Sequence, residues 1–219
     1  LMESGCEDWK FEKPRVLDQP MNLDNYNTTQ PYFTHANGYD MIYFVSDRPG
    51  GYGNFDIWYA LWQDGQFTEP QNCGSVINTP GNEVTPFYDT IHNTLYFSSD
   101  WHPGLGGYDI FKAEGGFSGW EKPKNLGIPF NSPANDVYFN INPTDTNGYL
   151  TSNRTGSLFI KGETCCNDIY MYEWKEPVYE VTDTPVTVTV PVDSVQEKAR
   201  LLLPVILYFH NDEPDPATN

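Results

Sequence analysis

The chain has 219 residues, of which 38% are hydrophobic and 16% aromatic, so it can bury a core and global disorder is excluded. Its 12 basic and 30 acidic residues give a formal net charge of −18. A field of that sign repels nucleic-acid phosphates and anionic lipid surfaces, whereas it suits solubility, a bound cation or a basic partner. No segment supplies the about 20 apolar residues that a membrane-spanning helix needs.

Turn-forming and aromatic residues dominate the composition, with 18 glycines, 18 prolines, 15 tyrosines and 13 phenylalanines. Gly and Pro break helices and aromatic residues favour short strands, so this composition predicts a β-rich fold with many turns. The N-terminus has no recognisable signal peptide. Either the peptide was removed or the chain is a piece of a longer protein, and the abrupt ends lead us to expect a piece.

The sequence repeats with a period of 53 residues along most of its length. Each copy holds a Ser-Asp or Ser-Asn pair, a loop, and an Asp-Ile run followed by an aromatic residue. The pairs are Ser46-Asp47, Ser99-Asp100 and Ser152-Asn153, and the runs begin at Asp56, Asp109 and Asp168. In the third copy the distance between pair and run is six residues longer, which indicates an insertion.

Four strand candidates lie in the middle copy. Val84–Tyr88, Leu95–Ser99 and Tyr108–Ala113 are aromatic and β-branched runs bounded by turn residues, and Phe117–Lys122 is a weaker candidate. Four antiparallel strands in a repeat of this length are typical of a β-propeller blade, so we predict an all-β propeller of four-stranded antiparallel blades. The predicted blades in this chain span approximately residues 9–62, 63–115 and 116–174, as a partial propeller or one completed by other segments.

The repeated polar residues have two interpretations. A Ser-Asp pair at the end of the second strand, such as Ser46-Asp47, can bond loop amides, and an Asp that opens the third strand, such as Asp56, can accept backbone N–H groups. The alternative is a metal site at the Asp residues. A metal site would need such a residue once rather than in every copy, so we predict structural roles for all nine residues and expect no metal.

Two motifs resemble a known family: Ser-Asp-x-x-Gly-Gly followed by Tyr-Asp-Ile-Phe, and Trp-x-x-Pro-x-Asn-Leu-Gly at Trp120–Gly127. They look like PD40 or TolB-type (WD40-like) β-propeller repeats, in the version found in envelope proteins of the Bacteroidota with a C-terminal OmpA-like domain. Glu163–Tyr170 is similar to the last blade of that subgroup, and Leu207–Pro214 resembles the first strand of its OmpA-like domain. The resemblance covers Trp9–Tyr172 and this C-terminal stretch.

The resemblance implies a function and a location. Proteins of this kind include outer-membrane lipoproteins of type IX secretion and gliding. We therefore expect an exported, periplasmic protein associated with the outer membrane, a non-enzymatic scaffold that binds other envelope proteins in a homo- or hetero-oligomer. Family propellers have about six blades, so the others would lie upstream, or another chain would complete the ring.

The resemblance also divides the C-terminal part. Residues 176–203 would form a Val/Thr/Pro-rich linker, with or without a docked strand, and residues 204–219 would begin a truncated OmpA-like domain. Peptidoglycan would be bound only through the part of that domain that lies outside this chain.

Four cysteines, Cys6, Cys73, Cys165 and Cys166, permit two disulfides in an exported protein, and the sequence does not choose the pairing. A Cys6–Cys73 bridge would tie the N-terminal segment to the first full blade. Cys165 and Cys166 could form a vicinal bridge, pair elsewhere or stay free. Cys73 aligns with Leu126 of the next copy, which predicts an inward-facing side chain. No C-x-x-C pair and no neighbouring His accompany these residues, so a metal site is disfavoured.

Two short motifs suggest a covalent modification. Asp89-Thr90-Ile91 and Asp193-Ser194-Val195 match the O-glycosylation pattern of the Bacteroidota. Thr90 and Ser194 are therefore candidate glycosylation sites.

Catalytic motifs are missing from the sequence, which has no G-x-S-x-G, no Walker loop and no H-E-x-x-H. We therefore predict no enzymatic activity and no cofactor. One alternative is a glycan-binding module that stacks sugars on Trp58, Trp101 or Tyr108, with His102 on the same ligand surface. The second alternative is a hydrolase, whose active residues would lie where the repeat breaks, at Trp101-His102 and in the insertion Leu158–Glu163.

Overall fold

A computed structural model describes residues 1–4, 6–7, 10–117, 119–142, 147–158, 166–174 and 205–208, with the backbone alone for residues 6–7 and 205–208. The all-β prediction is confirmed, because these residues form 18 strands in antiparallel sheets and no helix. Within the same residues there is accordingly no helix that could cross a membrane.

The N-terminal segment forms two short strand pairs. Strands β1 (Met2–Glu3) and β4 (Arg15–Val16) pair antiparallel, and strands β2 (Cys6–Glu7) and β3 (Lys10–Phe11) do so between them. In the first two of the larger sheets described below, the third strand likewise pairs with two short strands that follow it in the chain. The N-terminal segment therefore resembles the last strands of such a sheet.

The first larger sheet has the strand order β5-β6-β7-β8, and β9 also pairs with β7. Its strands are β5 (Thr28–Ala36), β6 (Tyr39–Ser46), β7 (Asp56–Gln63), β8 (Gln66–Phe67) and β9 (Gln71–Asn72). The turns Asn37-Gly38 and Asp64-Gly65 have positive φ at all four residues. Such two-residue turns match the twist of the flanking strands, so the local sequence specifies both hairpins.

The second and third sheets repeat this order. The second sheet contains β10 (Glu83–Asp89), β11 (Thr94–Ser99), β12 (Asp109–Gly116), β13 (Gly119–Trp120) and β14 (Lys124–Asn125). The third contains β15 (Asp136–Ile141), β16 (Asn147–Ser152), β17 (Asp168–Trp174) and β18 (Val205–Tyr208). Neighbouring strands are antiparallel in both sheets.

The sheets are shifted relative to the units taken from the sequence. Strands β8 and β9 lie in the predicted unit 63–115, yet they pair with β7 of the first sheet. Strands β13 and β14 lie in the predicted unit 116–174, yet they pair with β12 of the second sheet. The turns after β7 and β12 are short, so the strands that follow stay beside the strand that precedes them.

The strand β18 also differs from expectation. It lies within residues 204–219, which the resemblance assigned to a separate OmpA-like domain, but it pairs antiparallel with β17. Val205 lies opposite Trp174 and Tyr208 opposite Met171. The edge of β17 presents unpaired backbone groups, and an added strand satisfies them. The predicted linker at residues 176–203 lies outside the described residues.

Consecutive sheets pack face to face, and the core lies between them. Tyr43, Val45 and Ile57 of the first sheet share a cluster with Phe97 and Phe111 of the second, and all are at most 2% exposed. The cluster between the second and third sheets contains Tyr96, Ile110, Phe130, Phe139, Leu150, Tyr170 and Tyr172. Within the described residues the three sheets form a stack rather than a closed ring.

The first strand of the second sheet, β10, contacts the first strands β5 and β15 on either side, and all three share an irregularity. Their pairing with the second strand shifts register at Gln30, Thr85 and Tyr138, and these residues have φ angles of 51°, 53° and 54°. A left-handed conformation is unfavourable for a β-branched or aromatic side chain, and such bulges are features that folds retain for a purpose. We call Gln30, Thr85 and Tyr138 the bulge row.

Candidate functional site

The Asp residues that open the third strands close the preceding loops. The Asp56 carboxylate accepts the N–H groups of Tyr52 (2.6 Å) and Gly53 (3.2 Å), and Asp109 accepts those of Leu105 (2.7 Å) and Gly106 (3.0 Å). Burial raises the pKa of Asp56, whereas these hydrogen bonds lower it. The two carboxylates therefore act on backbone groups of their own loops.

In the described part of the third copy, the equivalent Asp accepts one backbone N–H group of its loop instead of two. The Asp168 carboxylate accepts the N–H of Leu158 at 2.6 Å. The rest of the predicted insertion, residues 159–163, lies outside the described residues, so its proposed place in a hydrolase site stays a prediction.

The second members of the Ser-Asp pairs join the ends of strands. Asp100 accepts hydrogen bonds from the backbone and the side-chain amide of Asn82, at 2.8 and 2.6 Å. Asp47 makes the same pair of contacts with Asn27, at 2.6 and 2.7 Å. Asn153 Oδ1 accepts the backbone N–H of residue 135 at 2.8 Å. These contacts fix where the first strand begins beside the second.

The serines of the pairs are buried and organise the loop that follows each second strand. Ser46 Oγ donates to the carbonyl of Asn27 (2.7 Å) and accepts from the backbone N–H of Arg48 (3.2 Å). Ser152 Oγ accepts from the backbone N–H and from Nε of Arg154, at 3.1 and 3.0 Å. Ser46, Ser99 and Ser152 are each at most 1% exposed, so a substrate could not reach them as nucleophiles.

Arg48 and Arg154, which the sequence analysis did not single out, occupy equivalent buried positions. Arg154 donates to the carbonyls of Pro129 (2.9 Å) and Phe130 (2.6 Å) and forms an ion pair with Asp136 at 2.7 Å. Arg48 donates to the equivalent carbonyls of Pro20 and Met21, at 3.2 and 2.6 Å. Both Arg residues follow a repeated Ser by two positions, and that spacing could have identified them.

In the second sheet, other side chains occupy the buried site that Arg48 and Arg154 occupy in the first and third sheets. Glu83 is fully buried and accepts hydrogen bonds from Thr79 Oγ1 (2.6 Å) and Ser99 Oγ (2.8 Å). His102 Nε2 contacts the carbonyl of Ile77 at 3.1 Å, the position that the Arg side chains reach in the other sheets. Burial raises the pKa of Glu83, and the hydrogen bonds and His102 oppose that shift.

Ser99, His102 and Glu83 do not form a catalytic triad. In such a triad the base bonds the nucleophile and the carboxylate orients the base. Here Ser99 donates to the carboxylate, and the His102 side chain bonds a backbone carbonyl instead of Ser99. Among the residues that the structure describes, Ser99 and His102 at this repeat break therefore do not form a nucleophile–base pair.

The cysteines are now partly assigned. Cys73 is a free, fully buried thiol, so the Cys6–Cys73 disulfide considered from the sequence is wrong. Its side chain faces inward and packs between the first two sheets, where burial raises its pKa. Cys166 is disulfide-bonded. Cys165 and the side chain of Cys6 lie outside the described residues.

The aromatic residues proposed as sugar platforms divide into two groups. Trp58 is 6% exposed and packs with Phe44 and Ala60, so it cannot stack on a ligand. Trp101 is 60% exposed, and Tyr108 is half-buried beside a cavity. The remaining glycan-related predictions stay untested: Thr90 is exposed in a turn, and Ser194 lies outside the described residues.

Two adjoining cavities follow the bulge row. Their volumes are about 430 and 630 Å³, and Gln30, Thr85 and Tyr138 line both of them. The smaller cavity also reaches Tyr108 and Asn167, each of which lies just before a third strand. We call the two cavities together the bulge groove. Neither the bulges nor the groove was predicted from the sequence.

Hydrogen bonds connect the bulge row from one sheet to the next. The backbone N–H of Thr85 donates to Gln30 Oε1 at 2.8 Å, and that of Tyr138 donates to Thr85 Oγ1 at 3.2 Å. Thr85 Oγ1 in turn donates to Ser98 Oγ at 3.1 Å. The groove wall is therefore held by side chains that span neighbouring sheets.

Metal chemistry has no visible site in the described part of the chain, where no three His, Cys, Asp or Glu side chains form a group that could hold an ion. Neither a protein-family model nor a curated protein matches the chain.

Proposed function

We propose that the chain is a non-enzymatic protein-binding scaffold, in which the three sheets are blades of a β-propeller. We further propose that it acts in the periplasm at the outer membrane, in an envelope complex such as the type IX secretion or gliding machinery. The sequence resemblance supports this location, and the disulfide at Cys166 fits an exported protein.

One observation carries the binding function: the third sheet has an apolar face without a cover among the described residues. Tyr149 is 46% exposed and Ile169 is 76% exposed on this face. Their equivalents in the second sheet, Tyr96 and Ile110, are 8% and 0% exposed because the third sheet packs over them. A large exposed apolar patch on a rigid sheet is typical of a protein–protein interface.

The stack indicates what kind of element fits this face. Where the second sheet covers the first, Glu83 N–H donates to the carbonyl of Phe55 at 2.7 Å. Where the third covers the second, Asp136 N–H donates to the carbonyl of Tyr108 at 2.8 Å. Asn167 holds the corresponding position in the third sheet. The fitting occupant is therefore a β-sheet whose first strand pairs beside Asn167 and packs on Ile169.

We propose that another polypeptide supplies this β-sheet. A second copy of this chain offers a poor match, because the opposite face of the stack is already covered. There Leu1, Leu17 and Met21 pack on Phe44 and Trp58 of the first sheet. The partner is thus a β-sheet protein of the envelope rather than this chain itself.

Photocrosslinking in the native host tests the proposal. A photoreactive amino acid at Ile169 should crosslink one envelope protein through a β-strand peptide, and the same group at Ile91 should not. Ile91 is a matched control because it is 59% exposed in a turn away from this face. The purified partner should then bind the Ile169→Asp variant at least about tenfold more weakly than the unchanged protein.

Three outcomes would contradict the proposal: no adduct specific to position 169, an adduct with a second copy of this chain, or equal binding of the partner to both proteins. Because Ile169 is exposed, the substitution should leave folding intact, which circular dichroism can verify.

A further inference from the structure

The bulge groove is uncharged, although it belongs to a chain with a net charge of −18. All the described side chains that line its two cavities are apolar, aromatic, hydroxyl or amide groups. A charged ligand would find no counter-ion here, and its desolvation would be uncompensated. The groove therefore selects a ligand without charge.

Amide groups give the groove hydrogen-bond donors. Gln30 uses its side-chain oxygen to accept the Thr85 N–H at 2.8 Å, and Asn135 uses its oxygen to accept the Tyr108 N–H at 3.1 Å. These contacts orient both amides but occupy only their oxygens. The NH₂ group of each makes no hydrogen bond to the described residues, so both remain available to a ligand.

Aromatic rings stand next to these amides. Tyr138 is 50% exposed although its φ angle of 54° is unfavourable for an aromatic residue. Tyr108 lines the same cavity and is half-buried. Strained residues of this kind concentrate at ligand sites, where the surrounding structure holds them in place. An exposed ring beside oriented amides is suited to stack on a sugar ring while its hydroxyls are bonded.

An extended peptide fits this groove less well. Peptides add to a sheet by pairing with a free strand edge, which requires unbroken backbone donors and acceptors. Here the bulges interrupt the first strands, and the N–H groups of Thr85 and Tyr138 are already bonded to side chains of the neighbouring sheet. The edge is thus closed to strand addition, whereas its side chains stay accessible.

We propose that the bulge groove binds an uncharged oligosaccharide, which stacks on Tyr138 and accepts hydrogen bonds from the amides of Gln30 and Asn135. This site adjoins the open face of the third sheet, since Asn167 lies at the border of both, but its stacking ring and amide donors belong to the groove alone, and it goes beyond the proposed scaffold function. It also moves the sugar site from Trp58 and Trp101 to the first strands of the sheets.

Isothermal titration calorimetry on the whole chain tests this site. The probes are the tetrasaccharides of glucose in α- and β-linkage, of mannose and of N-acetylglucosamine, with tetragalacturonic acid as the charged comparison. An octapeptide of Ser, Thr and Asn represents the peptide occupant. At least one neutral sugar should bind with a dissociation constant in the millimolar to micromolar range, and the acidic sugar and the peptide should not.

Two substitutions assign the binding to the groove. Tyr138→Ala removes the ring, and Asn135→Asp keeps the acceptor for Tyr108 while it replaces the NH₂ donor by a carboxylate. Each should weaken the binding of the neutral sugar by about tenfold or more. Tyr149→Ala is the matched control, because Tyr149 is similarly exposed (46%) but lies outside the groove.

The proposal is overturned if no neutral probe binds, if the acidic sugar or the peptide binds more tightly, or if both groove variants bind like the unchanged protein. Circular dichroism and the melting temperature of each variant separate a lost site from a lost fold. Because Tyr149 lies on the open face of the third sheet, loss of partner binding in Tyr149→Ala with intact sugar binding would distinguish the two sites.

Discussion

The second and third sheets carry closely related residues at equivalent positions, but their environments differ. Tyr96 and Ile110 are 8% and 0% exposed, whereas Tyr149 and Ile169 are 46% and 76% exposed. The residue types are the same, Tyr and Ile, and the strands have the same pairing. The neighbouring sheet therefore decides whether such residues are core or interaction surface.

The same two sheets also differ in how they fill one buried polar position. In the third sheet Asp136 pairs with Arg154 at 2.7 Å. In the second sheet Glu83 is fully buried and accepts hydrogen bonds from Thr79 and Ser99. The side chain of His102 interacts electrostatically with its carboxylate. A buried carboxylate that forms an ion pair with Arg and one that is hydrogen-bonded to hydroxyl groups should respond differently to mutation and to pH.

The largest effect is expected for Arg154→Ala, which leaves the fully buried Asp136 without its cation. The free energy of unfolding should fall by about 3–5 kcal/mol, because removing one partner of a buried pair leaves an uncompensated charge. Chemical denaturation measures this change. The added substitution Asp136→Asn should recover part of the loss, and a double variant no more stable than Arg154→Ala would contradict the ion-pair explanation.

A smaller but clearer contrast is expected for the two isoleucines. Ile110→Ala should lower the free energy of unfolding by about 2–5 kcal/mol, since it opens a cavity between the second and third sheets. Ile169→Ala should change it by about 0.5 kcal/mol or less, as for other exposed side chains. Similar losses from both variants, measured in parallel denaturation experiments, would mean that the third sheet is covered within the chain.

The smallest effect concerns pH. Burial raises the pKa of Glu83 above its ordinary value of 4.5, so the folded state binds this proton more tightly than the unfolded state does. The group therefore contributes stability below that ordinary value, and the contribution is lost as the pH rises through the raised pKa. The unfolding free energy of the unchanged protein minus that of Glu83→Gln should fall from acidic to neutral pH. Parallel pH profiles would exclude Glu83 as the source.

The repeat was readable because its residues act locally. In the first two sheets the Asp that opens the third strand bonds N–H groups within a few positions of itself, as Asp56 does with Tyr52 and Gly53. The hairpins at Asn37-Gly38 and Asp64-Gly65 likewise depend on adjacent residues. Interactions of this range leave a signature at a fixed spacing, and the all-β class followed from it.

The candidate sites were much less predictable from the sequence. The indole ring of Trp58 could stack on a sugar, but it is buried by Leu1, Leu17 and Met21, which lie far away in the chain. Gln30 and Thr85 looked ordinary in the sequence, yet a hydrogen bond between two sheets brings them together. Burial and convergence depend on partners far away in the chain, as the 55 positions between Gln30 and Thr85 show, and a single sequence does not reveal which distant residues will meet.

The sequence by itself determined the period of the repeat, the strands within it and the turns that join them, because these follow from the order of neighbouring residues. Only the tertiary structure decided where each sheet begins, that β18 completes the third sheet, and which apolar face stays open. A periodic sequence gives the length of the repeat but does not show at which residue a sheet begins. That boundary depends on which strand edges pair, and the exposure of a sheet face depends on whether a neighbouring sheet covers it.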